Sequence, residues 1–113
     1  MNENDEIRLR HMLDAARMAL SFVQGRERAD LDTDTQLAFA LVKTIEIIGE
    51  AASRISGECQ NRLPMIPWQD IVGMRNRLIH AYFEINADIV WSALTNDLPA
   101  LAAQIEAFFE QKT

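Results

Sequence analysis

The chain is short of most things that fix a small protein from outside its core. It has one cysteine, Cys59, in 113 residues, so no internal disulfide can form and no cysteine cluster can hold a metal. Packing, or a partner, has to hold it together. Four glycines and three prolines leave few turns, while Ala, Leu, Ile, Met, Glu, Gln and Arg abound, which favours helices over sheets. No apolar run approaches the 18 or so residues that a membrane span requires. The opening MNENDEIRLR is acidic and polar, where a secretory signal would be basic and then apolar. Export and membrane insertion are therefore not expected, and a reducing, cytoplasmic location is.

Cations are also scarce: 11 Lys and Arg stand against 17 Asp and Glu, a net charge of −6. A uniformly acidic surface would repel a phosphate backbone. The distribution is uneven, however. Residues 61–80 carry Arg62, Arg75 and Arg77 against Asp70 alone, whereas the stretches on either side are acidic. Hydrophobic residues at 49% and charged residues at 25% are the balance of a globular protein, and the length suits a single domain over residues 1–113.

The apolar spacing describes a series of amphipathic helices. Leu9, Met12, Leu13, Ala16, Leu20 and Val23 form a stripe on a first helix, from Glu6 to about Val23, ending near Gly25. Leu37, Leu41, Thr44, Ile45, Ile48, Ala51, Ala52 and Ile55 form a second, which the spacing starts near Thr33 or Asp34 and runs to about Ser56, with Gly57 as its left-handed cap. The segment 57–67 reads as a connector with room for a short turn of helix. Pro67 opens a third helix at its first position, covering Trp68 to about Ala81. Asn86 caps a fourth with Val90, Trp91, Leu94 and Leu98 on one face, Pro99 should kink or break it, and Leu101 to Phe109 close the chain. Short connections make neighbours antiparallel, so the expected fold is all-α, a four- to five-helix antiparallel bundle.

The third helix carries the chemistry. With about 100° per residue, Arg75 falls within the apolar stripe of Trp68, Ile71, Val72, Leu78, Ile79 and Tyr82, where an unpaired guanidinium would be very costly. Asn76 and His80, one turn apart, fall along the edge of that stripe, with the Tyr82 phenol close by. Arginine holds phosphate oxygens by paired charge-assisted bonds, and a histidine titrating near neutrality moves protons, so the group suits a phosphodiester with no metal. The structural alternative is Arg75 bonded to Glu46 or Glu50 of the second helix, with His80 merely ending the third. His11 and Cys59 read as a surface histidine and an inert thiol. Trp68, Trp91, Phe108 and Phe109 read as core or interface residues, and the scattered methionines as core filling.

Arg75, four intervening residues, His80, one residue and Tyr82 resemble the R-x4-H-x-Y pattern of the HepT-like branch of the HEPN superfamily. Asn76 matches the polar residue that follows its arginine, and the IIGEAA stretch from Ile47 to Ala52 and the Pro67–Trp68 pair are similar too. The resemblance covers essentially the whole chain. It implies a homodimer whose motif helices meet in a composite cleft that cuts RNA without a metal or other cofactor. In that cleft His80 would be general acid or base, Arg75 would stabilise charge on phosphorus, and Asn76 would orient the phosphate or His80. It further implies the toxin of a type VII-like toxin–antitoxin module. The partner would be an MntA-type minimal nucleotidyltransferase antitoxin that uses ATP to transfer AMP to Tyr82, adding bulk and negative charge beside the site. The alternative is a non-catalytic helical module that binds a nucleotide or protein and docks a nucleotidyltransferase.

Overall fold

The computed structural model describes residues 2–80 and 84–112, with the side chains of all but Arg75, Ile79, His80 and Lys112. Helix α1 runs Glu3–Phe22 and begins on Asn2, whose side chain accepts from the Asp5 amide at 2.7 Å. Glu3, Asp5 and Glu6 fill its first turn, where negative charge meets the positive end of the helix dipole. Of the expected stripe, Leu9, Met12, Leu13 and Ala16 are buried, while Leu20 and Val23 are partly buried against the core, and Ala19 is buried beside them. A single-turn helix α2, Asp30–Thr33, precedes α3, Thr35–Ser53, which is capped by Asp34 through the Leu37 amide at 3.0 Å. The whole α3 stripe is buried, and its one polar member, Thr44, donates to the Leu41 carbonyl at 2.7 Å, so no orphan hydroxyl is left in the core.

Two expectations around residue 57 are corrected. Helix α3 stops at Ser53, with Arg54 as its C-cap. Gly57 does not adopt a left-handed conformation; Gly25, with φ 76°, is the glycine that does. Gly57 instead opens α4, Gly57–Arg62, capped by the Ser56 hydroxyl on the Cys59 amide, the short helical turn for which the connector has room. The cap wins because Ser56 is itself held in place: its amide and hydroxyl donate to Asp5, at 2.9 and 2.6 Å.

Helix α5, Trp68–Leu78, follows Pro67, whose carbonyl accepts from Ile71 at 3.0 Å. Two short strands, β1 Ile79–His80 and β2 Glu84–Ile85, then pair antiparallel, Ile79 opposite Ile85 and His80 opposite Glu84. Helix α6, Ala87–Ser92, starts on Asn86 as predicted, its side chain accepting from Ile89 at 3.2 Å. The anticipated break at Pro99 takes another form. Residues Ala93–Asp97 wind as one π-helical segment between α6 and α7, Leu98–Lys112. Proline in the first turn of α7 withdraws one amide and crowds the preceding carbonyls, and the wider turn absorbs this without ending the helix.

The elements form a helical bundle. Helix α3 lies at its centre, against α1 on one side and α5 on the other, and α7 returns along α1. Leu41, Ile45, Ile48, Ile71, Leu78, Val90, Leu94 and Ile105 form the continuous core. Among the described residues no helix is long and apolar enough to cross a membrane.

Candidate functional site

The motif segment is positioned from three directions. At its start, the Trp68 indole is buried and donates from Nε1 to the Leu63 carbonyl at 3.1 Å, fixing how α5 leaves the loop. Along its length, α5 lies against α3 at Gly49, where an added Cβ would sit 3.3 Å from the Ile71 carbonyl oxygen and 3.7 Å from that of Val72. A Cβ there would be tighter than ordinary contact, so any side chain would require the two backbones to move slightly apart. At its end, Leu78 is fully buried and its carbonyl accepts from the Asn86 amide at 2.7 Å.

That last bond corrects the expected extent of the helix. The predicted run to Ala81 stops at Leu78, and His80 lies in strand β1 opposite Glu84. Ile79 to Ile85 is rich in β-branched and aromatic residues, which lose more freedom in a helix than in extended backbone. Asn76 and His80 are therefore not neighbours one helical turn apart, because the backbone between them changes from helix to strand. Asn76 is exposed on α5. The backbone of Arg75 belongs to the last turn of α5, while the side chains of Arg75 and His80 lie outside what is described, and Tyr82 lies outside the described residues altogether.

The two carboxylates of the structural alternative, Glu46 and Glu50, differ in setting. Glu50 is paired with Arg54 on the outer face of α3 at 2.9 Å, and Glu46 is half-buried one turn earlier. His11 is exposed, as expected. Cys59 is buried, and burial first, then the nearby Asp5 carboxylate, push its thiol above its usual pKa, which favours the unreactive protonated form. Phe108 and Phe109 meet edge to face at 5.9 Å, with Arg62 over the first ring and Arg10 over the second. They are engaged by the protein itself.

Sequence reasoning missed two features. One is the buried Asp5 carboxylate, held by a residue 51 positions away, a pairing that no local pattern signals. Burial works to raise its pKa, but the Ser56 hydroxyl and amide, helped by Arg8, prevail and hold it below the ordinary carboxylate range. The other is a groove of about 330 Å³ between α3, α5 and the start of α7, which includes Arg77 of the basic segment.

Taken together, fold and site define an all-helical bundle whose one basic helix ends on a short hairpin. More particularly, the chain belongs to the HepT-like family: the family model described as ribonuclease HepT-like matches residues 12–108. The chain is 33% identical over 104 residues to "Putative RNase TTE0752" of Caldanaerobacter subterraneus subsp. tengcongensis, covering 92% of this chain and 93% of that one. It is 30% identical to "Putative RNase MJ1380" of Methanocaldococcus jannaschii, over 84% of this chain and 87% of the relative. It is 36% identical to "Probable ribonuclease HepT" of Thermococcus cleftensis, over 68% and 70%. No solved structure matches.

Proposed function

We propose that this protein is the toxin of a two-gene toxin–antitoxin module, a metal-independent endoribonuclease whose cleft is completed by a second copy of the chain. The observation that carries the reading is Arg75 in the last turn of α5 and His80 two residues past its end, in a chain matched to ribonuclease HepT-like along most of its length. A helix ends and a strand begins between them, so the two residues stand on differently running backbone.

In the reaction, His80 takes the proton of a ribose 2′-hydroxyl and the oxygen attacks the adjacent phosphorus. The phosphorus–O5′ bond breaks, and the departing oxygen receives a proton from the partner copy's imidazole. The products are a 2′,3′-cyclic phosphate and a 5′-hydroxyl. Arg75 stabilises the charge that builds on the phosphoryl oxygens, and Asn76 orients the phosphate or His80. Two motif helices facing a twofold axis place the arginines in a wet shared cleft, which removes the cost of burying them. An MntA-type nucleotidyltransferase transfers AMP to Tyr82 and blocks the cleft by bulk and repulsion.

Purified, unmodified protein incubated with tRNA and mRNA in EDTA is expected to cut RNA, and His80→Ala to lower the rate about 10²- to 10⁴-fold. Cleavage unchanged in that variant removes His80 from the mechanism. Tight binding of a nucleotidyltransferase with no RNA turnover would instead make the chain a docking module.

A further inference from the structure

The groove between α3, α5 and α7 joins an apolar floor to a polar rim. Ile48, Ile71, Leu98 and Leu101 form the floor and are buried against the core. Asp70, Arg77, Asn96, Asp97 and Gln104 stand around it. The rim is under-used by the protein itself. Arg10, Arg17, Arg26, Arg28 and Arg54 each pair with a carboxylate, whereas the bond described for Arg77 runs to a neutral acceptor, the Asp70 carbonyl, at 3.2 Å. Asp70 and Asp97 both line the groove with Arg77, yet among the described residues neither forms an ion pair. Asn96 spends one amide hydrogen on Ser92, at 3.2 Å, which leaves its carbonyl oxygen to accept. The π-helical turn Ala93–Asp97 brings Asn96 and Asp97 to this wall, and such turns recur where a helix serves a ligand.

We propose that this groove is a base-binding subsite that takes one unstacked nucleobase bearing an exocyclic amino group, adenine above all, from a single-stranded RNA. Its volume of about 330 Å³ is at the scale of a site for one flat ring system. The floor covers the faces of the ring. Asp97 and the Asn96 carbonyl accept from the amino group, and Arg77 and Gln104 donate to ring nitrogens, the pairings that carboxylate and amide side chains make with base edges. The two rim carboxylates repel phosphate, so the base enters and its backbone stays outside. Uracil, which presents a carbonyl where adenine and cytosine present an amino group, leaves Asp97 facing an acceptor. The choice of RNA as occupant rests on the ribonuclease reading; base recognition does not.

The test uses the full-length, isotope-labelled chain and short 2′-O-methyl oligoadenylate and oligouridylate, which cannot be cleaved because the attacking hydroxyl is blocked. Oligoadenylate is expected to move the resonances of Asn96, Asp97, Ala100 and Gln104, and to bind about 5- to 100-fold more tightly than oligouridylate. Asp97→Ala, and Ala100→Phe whose ring occupies the groove, are each expected to weaken that binding about tenfold, with melting by circular dichroism retained. Equal affinity for the two oligomers, or no shift at those residues, overturns the proposal. So does AMP moving those resonances when oligoadenylate does not, since the groove would then serve a free nucleotide. Because no oligomer in the test can be cut, base discrimination at the groove stands even if the protein fails to cleave RNA. Likewise, cleavage of natural RNA with no groove binding defeats the subsite and leaves the nuclease.

Discussion

A carboxylate with 3% of its surface exposed is tolerable only if its lone pairs are met, and Asp5 meets two of them through Ser56. Removing one side leaves the other stranded: Ser56→Ala is expected to cost about 1–3 kcal/mol of stability, read by urea denaturation. The pH dependence follows from the depressed pKa of Asp5. A carboxylate whose folded pKa lies below its unfolded value, about 3.9, stabilises fully above that value and loses this contribution as pH falls through the folded one. Wild-type stability should therefore drop more steeply below about pH 4 than that of Asp5→Asn, whose neutral amide has no such term. Cys59, buried in the same cluster with its thiol pushed up, should resist an aromatic disulfide reagent until the protein is denatured. None of this is visible in the sequence, where Asp5 is one of several acids in a first helical turn.

Between α3 and α5, the tolerance is set by Gly49. Gly49→Val puts three carbons where the first already lies 3.3 Å from a backbone oxygen, and overpacking of this kind costs about 1–3 kcal/mol. Since α5 carries Arg75, the expected result is a lower melting temperature together with a loss of RNA cleavage in the surviving folded protein. Asn86→Ala should cost about 1 kcal/mol through the lost cap. The sequence discloses elements such as these unevenly. Asp34 and Asn86 announce their helices because capping is a local bond between a side chain and an amide three residues on. The α1 and α3 stripes are legible because burial follows helical spacing over many turns. His80 misleads because Ile79 and Tyr82 happen to continue the helical period, while the bond that ends α5, from Asn86 to Leu78, depends on the chain returning. The motif residues stand out in the sequence as an expectation, their convergence falls outside the described side chains, and the backbone that carries the histidine was not legible.

Across the molecule, a charge of −6 sets how it meets RNA. Few arginines are free for phosphate, because most of those described are paired with neighbouring acids. If about two to three phosphates are neutralised on a single strand, log affinity should fall with log salt at a slope of only about −1.4 to −2.1. Filter binding of an uncleavable RNA from low to moderate salt measures this, and a slope several times steeper would mean a far larger basic surface. With the shallow slope, recognition rests on short-range bonds to a few groups, with little long-range steering. The fully buried Leu78 fixes where α5 ends, and the Asn86 cap fixes where α6 begins. His80 stands on the excursion between these two anchors, so its place is governed by counting residues as much as by neighbouring side chains. Replacing a single amino acid in that excursion alters one group, whereas deleting or adding one shifts every downstream position and flips alternate side chains to the other face of the hairpin. Relatives that keep His80 and Tyr82 should thus vary the other letters of this stretch more readily than its length.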